Sequence, residues 1–140
     1  MLIVYADAGP PTQLQSEIQA EPNVVAVDLF DATVGIPTLG QLQQYEIVVP
    51  FSNSPFLDGD TLGNNLADYV DGGGIVVQYG FAHNGPGEPF GINGRWVTDG
   101  YNPYDYSENL ELIHSHWESL TQDTRSWLGL PRSTATSRTS

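Results

Sequence analysis

The chain has 140 residues, 39% of them hydrophobic, and no cysteine: enough for one buried core, and incompatible with disulfides, thiolate metal sites or a cysteine nucleophile. Seventeen acidic residues stand against four arginines and no lysine, and the first arginine is Arg95. A net charge of −13 repels phosphate backbones and anionic headgroups, so nucleic acid and acidic lipid surfaces are excluded as partners.

Leu2 to Ala6 is a compact apolar run directly after Met1, which reads as a first strand rather than a signal peptide, and no apolar run reaches membrane-spanning length. After Asp7-Ala8-Gly9-Pro10-Pro11, Thr12 with Gln15 fits a capping box that opens a helix on Leu14 and Ile18. Asn23 punctuates. Val24 to Val27 then predict a second strand running on into Asp28-Leu29-Phe30-Asp31. Thr38 and Gln41 form a second capping box, with Leu39 and Leu42 as the apolar face of a short helix. Glu46 to Phe51 reads as a third strand, with Pro50 near its end, where a missing N–H is tolerated.

Leu62, Leu66, Ala67 and Val70 recur at helical spacing, Gly72 to Gly74 stop that helix, and Ile75 to Val77 form a short run read as a buried strand. Residues 82 to 94 are rich in glycine and proline and are expected to be a loop or lid. Arg95 to Thr98 is expected to be a short strand. Strands alternating with helices at this spacing predict an α/β fold: three layers, α/β/α, around a mainly parallel sheet.

LIVYADAGP, PTLGQLQQYEIVVPFSNSPF, LADYVDGGGIVVQYGF and GINGRWVTDGYNPYDYS together resemble the class I glutamine amidotransferase-like superfamily, whose fold is flavodoxin-like. The match is to a bacterial branch without the catalytic cysteine, often found within larger exported proteins, and it covers residues 1 to 113. In true amidotransferases the strand after such a helix ends in a Gly-x-Cys-x-Gly elbow. Here Val76-Val77-Gln78-Tyr79-Gly80 occupies that stretch, with Gln78 the nearest counterpart of the cysteine, so ammonia release from glutamine is out of reach. The resemblance implies an extracellular setting, although no signal peptide is legible on this chain.

The resemblance also implies a continuation like LGTHNAGHPLMAGV after the tyrosine-rich segment, whereas residues 114–140 read irregularly. One permitted back-translation of Gln122 to Thr134, read two bases out of phase, spells GHPLMAGVTALN. A frameshift near His114 to His116 is therefore expected, with Trp117 to Ser140 carrying no evolved function. A truncated sheet of this kind is expected to self-associate.

In an open parallel sheet, ligands bind beyond the carboxyl ends of the strands. That rule selects Asp7, Asp31, Ser52, Asn53, Ser54, Gln78, Tyr79, Gly80, Phe81 and His83, none of the last five a good nucleophile. Asp7 and Asp31 would either hold a hard cation through oxygen ligands or cap their loops, and no metal is assigned to them. Ser52 or Ser54 with His83 and Asp7 has the composition of a nucleophile, base and orienting carboxylate, but no Gly-x-Ser-x-Gly elbow is present. No phosphate loop or dinucleotide fingerprint occurs, so no cofactor is implied. Trp96, Tyr101, Tyr104 and Tyr106, with Arg95, Asn93, Asn102 and Asp105, have a composition suited either to stacking on a sugar or to covering a sheet edge.

The sequence thus predicts a non-catalytic amidotransferase-like module that binds a small molecule, glycan or neighbouring domain through Asp7, Asp31, Ser52, Asn53, Gln78, Phe81, His83, Trp96 and Tyr101. The alternatives are a hydrolase using Ser52 or Ser54 with His83, and carbohydrate binding at the Trp96 to Tyr106 patch.

Overall fold

Among the described residues five short strands form one sheet in which every pairing is parallel. The computed structural model describes Met1–Tyr104, which form a compact unit. Asp105, Tyr106, the expected boundary at residue 113 and the tail with His114 and His116 lie outside the described residues. The elements run β1 (Leu2–Ala6), α1 (Thr12–Gln19), β2 (Asp28–Asp31), α2 (Leu39–Leu42), β3 (Ile47–Ser52), α3 (Gly59–Asp71), β4 (Ile75–Val76), β5 (Tyr79–Gly80), a 3-10 turn (Phe81–His83) and α4 (Arg95–Thr98). Spatial order is β2-β1-β3-β4, with β5 also on β3, so the expected α/β class with a parallel sheet is present.

β1 is flanked on both sides, by β2 and β3, and all five of its residues are buried. Its alternating side chains feed two separate cores. Leu2, Val4 and Ala6, with Val48 of β3, pack against Leu42 of α2, Leu62, Leu66 and Tyr69 of α3, and Trp96 of α4. Ile3 and Tyr5, with Val49, pack against Leu14 and Ile18 of α1. Helices therefore lie on both faces, three on one and one on the other.

α2 forms as its sequence dictates. Thr38 Oγ1 accepts from Gln41 N at 3.3 Å, and Gln41 Oε1 accepts from Thr38 N at 2.9 Å, a complete capping box. The box expected at α1 does not form. Thr12 is already helical, Pro11 is the N-cap, and no side chain caps the first turn. Proline fixes φ near the helical value, so Pro11 itself sets the start of the helix.

Three expectations on strands are corrected. The second strand begins at Asp28, not Val24. Asn23 has a φ of +76° and Val24 N donates back to Glu21 O, so this stretch is spent on a turn that leaves Val25 96% exposed. The strand after α3 is not buried: Ile75 and Val77 are half exposed, because among the described residues nothing flanks β4 on its outer side. Arg95 to Thr98 is a helical turn rather than a strand. Four residues are too few for periodicity to discriminate, and the helical form directs Trp96 into the core while setting Arg95 beside Asp99.

Pro50 is the fourth of six residues in β3 rather than near its end, and it leaves a mark on the neighbouring strand. Ile75 N donates to Glu46 O at 3.3 Å and Val77 N to Val48 O at 3.0 Å, so the even-numbered residues of β3 face β4. Pro50 is the donor position of that ladder without an N–H. β4 and β5 keep one register on β3, Ile75 beside Ile47 and Tyr79 beside Phe51, and the interruption between them falls opposite Pro50.

Candidate functional site

The carboxyl ends of β1, β3 and β5 bring together part of the expected set. Asn53 N and Ser54 N both donate to Ala6 O, at 2.8 and 2.9 Å, which carries β3 past the end of β1. Asp7 Oδ1 then accepts from its neighbour Ala8 N at 2.7 Å and from Asn53 Nδ2 at 3.4 Å. Asp7 and Asn53 are thus joined across two strands.

Asp31 is committed elsewhere. Its Oδ1 accepts from Thr33 N at 2.9 Å and from Thr33 Oγ1 at 2.6 Å, and these two donors hold its carboxyl below the usual range. Burial, and then the Asp31 charge, push the Tyr5 hydroxyl up. This is loop capping, and among the described residues no group of three or more His, Asp or Glu side chains converges as a metal set.

Ser52 is fully buried, and its hydroxyl donates to Phe90 O at 2.7 Å. The hydroxyl ties β3 to the segment over it, leaving no open approach to Oγ. Ser54 is half buried, and the His83 ring lies 5.0 Å from Tyr104. No hydrogen bond joins Ser52, Ser54, His83 and Asp7 to one another. The geometry does not assemble the nucleophile, base and carboxylate that the hydrolase alternative requires.

The backbone turns sharply at Gly80, two residues past Gln78. Gly80 has φ +64° and ψ −143°, and a Cβ there would lie 2.9 Å from the Phe51 ring and 3.0 Å from Ser52 O. The chain passes in this one step from β5 into the 3-10 turn Phe81–His83. Gln78 lies before the bend: its Nε2 donates to Ala82 O at 3.1 Å, and its Oε1 is buried with no donor. Phe81 projects half exposed beyond the bend, edge-on to Phe90 at 6.4 Å.

The segment 82–94 is held down along its length rather than standing free as a lid. Phe56 N donates to Pro89 O at 3.1 Å, Ile92 N to Ala82 O at 3.1 Å, and Asn93 N to Gly59 O at 3.1 Å. The Asn93 side chain then clamps the loop internally, accepting from Gly87 N at 2.8 Å and donating to Glu88 O and Gly91 O at 3.2 Å. Asn93, expected as a polar member of an aromatic patch, is instead the clamp of this loop. The legible signal was Gly63, an isolated glycine inside α3, where a Cβ would lie 1.8 Å from Asn93 O.

Trp96 and Tyr101 belong to a packing unit. Trp96 is only 3% exposed, its ring stacks on Tyr101 at 5.8 Å, and neither face is free for a sugar. Arg95 lies over Tyr101 and reaches three carboxylates: Asp68, Asp71 at 3.2 Å and Asp99 at 2.8 Å. Tyr101 donates its hydroxyl to Asp71. Hydrogen bonds to Asp99 and Asp71 raise the Arg95 guanidinium further, the Tyr101 hydroxyl lowers Asp71, and Arg95 lowers Asp99. This cluster fastens α4 to α3.

Among the described residues, hollows of about 360 and 530 Å³ lie at the other end of the sheet, where they share Tyr45 and Glu46. They contain none of the expected site residues, and their walls are the turns after α2 and α3 and the turn at Asn23 to Ala26. No protein family, curated protein or solved structure matches the chain.

Proposed function

We propose that this chain is an amidotransferase-like α/β module of flavodoxin-like architecture that has no catalytic nucleophile and binds a ligand at the carboxyl end of its sheet. The binding residues are Asp7, Asn53, Gln78, Phe81 and His83. The observation that carries the reading is Gly80. A sharp bend between a strand and a helical turn is where such folds display a nucleophile, and here the bend is held by a residue with no side chain.

The chemistry at that end selects the ligand class. Asp7 contributes a carboxylate and Phe81 a half-exposed ring. A carboxylate beside an exposed ring suits a ligand that is neutral or cationic, rich in N–H or O–H groups, with an apolar face for Phe81. Following the resemblance, the module serves within a larger exported protein, as its ligand-binding or structural part.

Amide chemical shifts during titration with a set of polyols, amides and amines test this. Saturable shifts are expected at Asp7, Asn53 and Gln78 to His83, and Phe81→Ala is expected to weaken them. Shifts centred instead on Tyr45 and Glu46, or no saturable shift across the set, would overturn the reading.

A further inference from the structure

Among the described residues the outer side of β4 and β5 is an unpaired sheet edge, and it is an unguarded one. From Gly72 to Asn84 the chain has no Asp, Glu, Lys or Arg, whereas the opposite edge strand, β2, carries Asp28 and Asp31. Edge strands are ordinarily protected by charge, proline or a bulge. Ile75, Val77 and Tyr79 share one face of this edge at 55%, 50% and 56% exposure. Ile75 and Val77 direct their N–H groups inward to β3. Strand alternation therefore turns the N–H and C=O groups of Val76 and Gln78 outward.

We propose that this edge pairs, antiparallel, with the same edge of a second copy of the chain, about a two-fold axis at Val77. In that register Val77 faces the partner's Val77, and Ile75 faces the partner's Tyr79. Both are non-hydrogen-bonded positions, where opposed side chains approach most closely. An aromatic side chain opposite a β-branched one is among the stabilising cross-strand pairs. Val76 and Gln78 meet the partner's Gln78 and the partner's Val76 at hydrogen-bonded positions, so the outward groups are matched as well. A two-fold axis at Gln78 would instead require Phe81, which lies in the 3-10 turn beyond the Gly80 bend. Isologous pairing of this kind needs a patch complementary to itself, and this segment is one.

Charge selects a second copy as the occupant. Two chains of net charge −13 repel wherever their acidic faces meet, and the only Lys or Arg among the described residues, Arg95, is engaged by Asp68, Asp71 and Asp99. The neutral strip is where two copies meet without opposing carboxylates. A cationic partner would be drawn to the acidic faces instead.

Sedimentation velocity of the full chain over a range of concentrations tests the pairing. The wild type is expected to dimerise reversibly. Val77→Lys is expected to raise the dissociation constant about tenfold or more, because like charges then stand directly opposite. That substitution makes the chain less negative, so general repulsion predicts the opposite sign. Ile75→Lys and Tyr79→Glu are each expected to weaken the dimer, and the two combined in one chain to restore it, since the register sets each new cation against a new anion. A wild type monomeric at all concentrations, a dimer indifferent to Val77→Lys, or a double variant no better than its singles would each overturn the proposal. Circular dichroism identifies the folded variants, and if Val77→Lys does not fold, the set at 75 and 79 decides alone.

Discussion

On one face of the sheet, Leu2, Val4, Ala6 and Val48 look toward three helices and are sealed from solvent. On the other, Ile3, Tyr5 and Val49 look toward α1 alone, and along β4 and β5 the residues of the same parity stand half in water. Strand composition does not account for the contrast, because Leu-Ile-Val-Tyr-Ala of β1 alternates between the two faces and is apolar on both. The covering elements do. α3 is thirteen residues long with five of them buried, while α1 is eight residues long with none fully buried. A parallel sheet is fully dry only where helices cover both sides, and here that holds at the centre and fails at the β4 edge.

If the helix-rich face carries most of the stability, substitutions of similar chemistry must cost unequal amounts on the two faces. Leu66→Ala, in the fully sealed core, is expected to lose about 2–5 kcal/mol in urea denaturation. Ile18→Ala, on half-buried α1, is expected to lose about 1 kcal/mol. Equal losses would remove the contrast. Gly63→Ala tests the same face from the side of close approach: the added methyl meets Asn93 O, and a loss of about 1–3 kcal/mol is expected, with earlier proteolysis within residues 82–94.

Smaller effects sharpen the picture of what fastens the helices. Thr38→Ala removes one half of the α2 capping box and is expected to cost about 1 kcal/mol. The Arg95 cluster predicts a pH dependence with a definite sign. Asp71 and Asp99 are held below the ordinary value of 3.8, so their contribution is present above that pH and is lost as pH falls through their folded values. The urea midpoint of the wild type is expected to drop from pH 5 toward pH 3 by more than that of Arg95→Met. Parallel curves would show that the cluster contributes nothing measurable, as many exposed ion pairs do. Val25→Thr, on a side chain 96% exposed in the turn before β2, is expected to change stability by less than about 0.5 kcal/mol.

What the sequence disclosed follows from the range over which each signal acts. β1, β3, α3 and the α2 box rest on local patterns long enough to be read, and they stand within a residue or a few of where the pattern puts them. The start of β2 was hidden because Val24 to Val27 has strand composition, while Asn23 and Glu21 spend it on a turn. The exposure of Ile75 and Val77 depends on which strand lies beside β4, and that is a property of topology. The candidate site divides in the same way. Asp7 and Asn53, which the strand-end rule selects, are joined by a hydrogen bond. Gly80 stands among the residues past the strand end, but its role in the bend rests on backbone angles that the sequence does not carry. Ser52 and Trp96 carry reactive or sticky chemistry in the sequence, and the fold spends both on packing.

The central claim is that the strand end at Gly80 is a scaffold for binding and carries no nucleophile. Turnover of a broad panel of ester, amide and glycoside substrates by the wild type, Ser52→Ala and His83→Ala tests it most directly. No hydrolysis above the uncatalysed background is expected from any of the three; turnover by the wild type that is lost in His83→Ala or Ser52→Ala would contradict it.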